Sequence, residues 1–195
     1  MMFLGIEEGL IAGFSYTYII LSNRWFCIES GNADNPTVVL IHGFPSQAYS
    51  YRKALPILSK DYHVIAFDWL GFGFSEKPQP KYGFDYTMEE YVLSLKSLID
   101  ELAPNKVSLV AQGYFSPIVV KYASEHQDKV NDVVLLNPPV CFWGLNRLAH
   151  SLSCIAYLDS LLLLVEIRFH NVPSDQLAPL PCAPVPSFRH ITENL

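Results

Sequence analysis

Four short apolar runs, separated by amphipathic stretches, constrain this chain more than any other feature. They are Thr37–Ile41 (TVVLI), His63–Phe67 (HVIAF), Val107–Ala111 (VSLVA) and Val133–Leu136 (VVLL). Each is rich in β-branched residues and shows no polar alternation, the pattern of a strand buried on both faces. Strands of this kind alternating with helical segments predict βαβ units around a mostly parallel, doubly wound α/β sheet. Trp25–Glu29 reads as an additional antiparallel strand leading into them.

The intervening segments carry helix signals. Thr87-Met88-Glu89-Glu90 is a capping box, in which a threonine hydroxyl and a glutamate carboxylate satisfy each other's orphan amides. Tyr91, Val92, Leu95, Leu98, Ile99 and Leu102 then share one helical face before Pro104 ends the run. Pro117 opens a second helix, with Ser116 as its expected N-cap. Ser46–Ser59 is a third candidate, interrupted by Pro56.

Both ends differ from this middle. Residues 1–23 form an atypical apolar segment. Its uncharged stretch Leu10–Leu21 has the length of a signal-peptide core, but Glu7 and Glu8 precede it and the first basic residue is Arg24. A signal wants positive charge before its apolar run, and a membrane span wants about 20 apolar residues. A buried strand or helix is expected there instead of a membrane role. Residues 24–140 make up the α/β core. Residues 141–195 read as an apolar stretch followed by a proline-rich, partly disordered tail, with five of the 14 prolines between Pro173 and Pro186. Leu148–Phe169 is expected to pack as an apolar helix either against the helices or against the last strand, which would otherwise be a bare sheet edge open to self-association.

Charge and cysteine content narrow the partners. Net charge is −6 and the 13 basic residues are scattered, so no stripe exists to neutralise phosphates and nucleic acid is not an expected partner. Cys27, Cys141, Cys154 and Cys182 have neither paired spacing nor a companion histidine, so no metal or other cofactor is expected. They read as reduced thiols, and Asn35-Pro36-Thr37 is not a glycosylation sequon. An intracellular, soluble location follows as the expectation, with cytoplasm and plastid both open.

In an open parallel sheet, ligands collect beyond the carboxyl ends of the strands. Here those positions hold His42-Gly43-Phe44-Pro45, Asp68-Trp69-Leu70-Gly71-Phe72-Gly73-Phe74-Ser75, Gln112-Gly113-Tyr114-Phe115-Ser116 and Asn137-Pro138-Pro139. In this order and spacing, over residues 24–139, they resemble the first half of an α/β-hydrolase. The branch most similar is that of epoxide hydrolases and haloalkane dehalogenases, and the pattern is nearest to plant-type members. The resemblance implies an oxyanion hole from the backbone amides of Phe44 and Tyr114, with Gly43 and Pro45 shaping the turn. Backbone donors aimed at developing charge are the largest catalytic contribution in such sites.

The third loop departs from that family. A nucleophile elbow needs small residues two before and two after its reactive side chain. Ala111 meets the first demand, Gly113 occupies the nucleophile's place and Phe115 stands where glycine is expected. Glycine cannot attack carbon. Ser116 in a shifted register would have Tyr114 and Ile118 as its neighbours, both too large for the elbow. The family's acid and histidine come after later strands, and 56 residues follow Pro139, so both are expected to be missing and the chain to stop short after its sixth strand. His150, His170, His190, Asp159 and Asp175 do not follow a credible strand. His63 and His126 read as strand-edge and helix-end residues.

Three readings follow from these residues. One is a hydrolase by descent, of the ester, epoxide or haloalkane class, without a working triad. Another is a binding module for small apolar ligands, its pocket lined by His42, Phe44, Trp69, Tyr114 and Phe115. The last is a hydrolase with a displaced nucleophile, Ser116.

Overall fold

The computed structural model describes residues 7–11, 14–138, 153–159 and 162–168. Its centre is the expected parallel sheet. β4 (Thr37–Ile41) lies between β5 (His63–Phe67) and β6 (Val107–Gln112), and β7 (Val130–Leu136) follows β6, all four parallel. β4 shows how both faces are used. Val38 and Leu40 join one apolar cluster with Ala48, Tyr51 and Leu55, whereas Val39 and Ile41 join the opposite cluster with the helices. Burying such side chains stabilises by about 1.5–3 kcal/mol each.

The helices largely follow their signals. α2 (Met88–Leu102) starts at the Thr87 capping box: Glu90 N–H donates to Thr87 Oγ1 at 3.2 Å, and Thr87 N–H donates to Glu90 Oε2 at 3.1 Å. It ends at Ala103, whose extended backbone suits the residue before Pro104. α3 (Ser116–Glu125) packs beside α2 and against β6 and β7. The Ser46–Ser59 candidate becomes a 3-10 turn, Ala48–Tyr51, and a single-turn helix α1 (Leu55–Leu58), with Pro56 in the first turn, where its missing N–H costs nothing.

At the amino-terminal flank, β1 (Glu7–Ile11), β2 (Phe14–Ile20) and β3 (Arg24–Ser30) form an antiparallel meander, and β3 pairs antiparallel with β5. The apolar segment before residue 24 therefore extends the sheet. Tyr16 and Tyr18 of β2 pack on Phe26 of β3 with ring centroids 5.4 and 5.5 Å apart.

The other flank corrects an expectation. Leu148–Phe169 was expected to be helical, but its described residues form β8 (Ser153–Asp159) and β9 (Leu162–Arg168), an antiparallel pair. β9 pairs with β7 from Asp132↔Arg168 to Leu136↔Leu164, so the segment does cover the edge of β7. The reason is physical: β7 presents a row of backbone donors and acceptors that a strand can satisfy and a helix cannot. The full order is β1-β2-β3-β5-β4-β6-β7-β9-β8. The sheet is thus parallel at its centre and antiparallel at both flanks. The proline-rich stretch lies outside the described residues. No helix among the described residues is long and apolar enough to cross a membrane.

Candidate active site

The loops after β4, β5 and β6 meet at the carboxyl end of the sheet, and the His42 side chain ties the first two together. Its ring is fully buried. Trp69 N–H donates to His42 Nε2 at 3.0 Å, so the ring proton sits on Nδ1 and is donated to Gly43 O at 2.8 Å. Burial lowers its pKa to about 4, against the pull of the Gly43 carbonyl. His42 is therefore a neutral brace at neutral pH, not a proton carrier. Gly43 is required by contact: a Cβ there would lie 2.8 Å from Gln112 O, at the end of β6. This close approach brings the rings of Phe44 and Tyr114 to 5.9 Å. The Phe44–Pro45 peptide is cis.

Asp68, at the end of β5, organises the second loop and was not singled out in the sequence. Its buried carboxylate accepts from Ala48 N–H at 2.6 Å through Oδ1 and from Phe74 N–H at 2.8 Å through Oδ2. Desolvation still pushes its pKa up, against both donors. Ser75 Oγ donates to Asp68 O at 2.6 Å and accepts from Phe26 N–H at 2.8 Å. Gly73 packs so tightly on this carboxylate that a Cβ would overlap Oδ2, and its φ is +48°. The glycines of this loop shape a clamped turn. The signal available in the sequence was an aspartate directly after an apolar run, with glycine five residues on.

The third loop is the elbow. β6 ends at Gln112, Gly113 adopts φ +59°, and a 3-10 turn, Gly113–Phe115, leads directly into α3. Unlike Gly73, Gly113 has open space among the described residues: a Cβ there would meet none of their atoms within 4 Å. The backbone holds the left-handed conformation that only glycine adopts without strain, and there is room for a side chain that the sequence does not supply.

Two expectations are corrected here. Ser116 is not an N-cap. Phe115, the preceding residue, is already αR, the cap position makes no side-chain bond, and Ser116 is the first residue of the helix. A capping residue needs an extended backbone, which the continuous 3-10 turn denies. Ser116 Oγ is fully buried and has no hydrogen-bond partner among the described residues. Trp69 and Phe115, expected to line a pocket, are fully buried and pack on each other at 5.1 Å. His42, Phe72 and Tyr91 surround Phe115, so the large residue at the expected glycine position is absorbed into an aromatic core. Of the aromatic residues expected at the site, Phe44 is 38% exposed and Tyr114 half-buried, with Phe72 against Phe44 at 5.8 Å.

Among the remaining titratable groups, His63 opens β5 and bonds Glu29 Oε1 at 2.5 Å, far from this end of the sheet. His126 follows α3 and stacks on Tyr122 at 4.7 Å. Asp159 does follow a strand, contrary to expectation. It is the last residue of β8 and lies opposite Leu162, at the same end of the sheet as the elbow. Three strand spacings separate β8 from β6, roughly 14 Å. His150, His170, His190 and Asp175 lie outside the described residues. No group of three or more metal-ligating side chains occurs among the described residues.

Known proteins resemble this chain over part of its length. A family described as having the alpha/beta hydrolase fold matches residues 36–156. A haloalkane dehalogenase of Mycobacterium marinum is 38% identical over 115 residues, which are 58% of this chain and 38% of that protein. Epoxide hydrolase 3 of Xenopus tropicalis is 34% identical over 116 residues, 60% of this chain and 31% of that protein. The crystal structure of an epoxide hydrolase from Vigna radiata superimposes with a TM-score of 0.59 at 26% identity, covering 65% of this chain and 41% of that one. The chain spans about a third of the length of these curated relatives.

Proposed function

Because this chain belongs to the α/β-hydrolase family, we propose that it is a hydrolase by descent, of the ester, epoxide or haloalkane class, whose elbow performs no covalent catalysis. Gly113 carries this reading. The elbow turn has φ +59° with open space above it among the described residues, and the position offers only hydrogen. Loss of a triad nucleophile costs roughly a millionfold in turnover. The shifted-register alternative is disfavoured by Ser116 itself, whose buried Oγ has no room for a substrate carbon to approach.

A binding role is the second reading, and the partly exposed aromatic group at this end of the sheet favours it. Phe44 packs against Phe72 at 5.8 Å and against Tyr114, the residue after Gly113, at 5.9 Å. A small apolar ligand fits such a group, with the amides of Phe44 and Tyr114 as polar anchors in the manner of the family's oxyanion hole.

The deciding experiment measures hydrolysis of a short-chain nitrophenyl ester and of an epoxide by the protein and by Ser116→Ala, Gly113→Ser and Gly113→Asp. The expected result is no turnover above background for the unaltered protein, unchanged in Ser116→Ala. Turnover that Ser116→Ala abolishes overturns the proposal and assigns the displaced nucleophile. A Gly113 variant that gains activity shows that the rest of the machinery is present and that only the nucleophile was lacking.

A further inference from the structure

We propose that the groove beside the first loop binds a small monocarboxylate with an apolar body, held by Arg52. The groove has a volume of about 480 Å³, within the usual range for small-molecule sites, and its lining falls entirely within residues 45–72. No acidic side chain lines it. Arg52 does, and its guanidinium has no carboxylate partner among the described residues. Its Cζ lies 5.1 Å from the centroid of the Tyr49 ring, and Nη1 donates to Tyr49 O at 3.4 Å. Stacking on the ring sets the guanidinium plane, and the donors that remain form a fork suited to a carboxylate. Ser46 and Ser50 line the same groove with hydroxyls that make no hydrogen bond among the described residues. Pro45 and Phe72 add apolar surface for the body of the ligand. A lone guanidinium balances a single negative charge, so a carboxylate suits the groove better than a phosphate dianion, whose second charge would go unpaired.

The walls of this groove are fixed before anything binds. Asp68 accepts from Ala48 N–H at 2.6 Å and from Phe74 N–H at 2.8 Å, so one buried carboxylate joins the turn that carries Tyr49 and Ser50 to the loop that carries Phe72. Tyr51 Oη donates to Ile41 O at 2.9 Å and ties the same turn to β4. Preset walls reduce the ordering cost of binding. The site draws on no group at position 113, so it stands or falls independently of what the elbow does.

The test is an NMR titration of the full chain with benzoate, benzamide and phenyl phosphate, following the backbone amides of residues 46–52. Benzoate should give saturable shifts there in the millimolar range, and benzamide, with the same ring and no charge, should bind weaker by roughly tenfold or more. Arg52 is exposed, so its replacement should leave the fold unchanged. Arg52→Gln should remove the preference for benzoate over benzamide, and Arg52→Lys, which keeps the charge without the fork, should retain part of it. Equal affinity for benzoate and benzamide, a benzoate affinity that Arg52→Gln leaves unchanged, tighter binding of phenyl phosphate, or no saturable shift in residues 46–52 would each overturn the proposal.

Discussion

The second and third loops lie side by side at one end of the sheet and are built in opposite ways. In the Asp68–Ser75 loop, the carboxylate and the serine hydroxyl are all bonded, and Gly73 is enclosed to the point of overlap. In the Gln112–Ser116 elbow, Gly113 faces open space and Ser116 Oγ is an orphan among the described residues. The contrast separates two jobs that a catalytic loop normally combines. The bracing that sets the site's shape is complete, whereas the position that would do chemistry bears no load. The braced loop does not depend on a side chain at position 113.

Substitutions can break or sharpen that contrast. Gly73→Ala should have the largest effect, about 3 kcal/mol or more in urea unfolding, because its Cβ would strike the Asp68 carboxylate and its φ is +48°. A loss below 1 kcal/mol would show that the clamp yields.

The His42 brace comes next, and its effect depends on pH. Its folded pKa, about 4, lies below the ordinary value of 6.5. Between these values the unfolded chain binds a proton that the folded protein refuses. Stability is thus fully present above pH 6.5 and falls as pH drops towards 4, by about 3 kcal/mol. Asp68, with its raised pKa, works in the opposite direction. It is common to both proteins when His42→Gln is the comparison, so the difference between their urea midpoints isolates the histidine. Equal pH slopes would remove His42 from its bracing role.

Gly113→Ser should be mild. It meets no neighbour and incurs only the left-handed backbone, about 1 kcal/mol. A cost equal to that of Gly73→Ala would erase the contrast between the two loops. Smallest of all, Ser116→Ala removes an orphan hydroxyl and should leave thermal stability unchanged or raise it by up to about 1 kcal/mol. A clear loss would reveal a partner for Ser116 Oγ.

The legible parts of the fold were those specified by local chemistry. Thr87 and Glu90 announce α2 within four residues, and the β-branched runs announce β4 to β7. The elbow was legible from Ala111 and Gly113, because strand, turn and helix leave their mark at fixed spacing. Other features depended on neighbours distant in sequence. Leu162–Arg168 is apolar without period, so only the bare edge of β7 decides that it is a strand. Trp69 and Phe115 look like pocket residues in sequence and become core because each meets the other. Ser116 looks like a cap until the preceding turn is seen to run straight into the helix.

The central position of β4 also orders events during synthesis. Its inner neighbour β5 arrives within some 26 residues, Thr37 pairing with His63, but its other neighbour, β6, starts only at Val107. At about 5–20 residues per second, a ribosome needs roughly 3–14 s to deliver those 70 residues. Throughout that interval the β6-side edge of β4, later the middle of the sheet, waits without its partner, and a chaperone has that long to bind it.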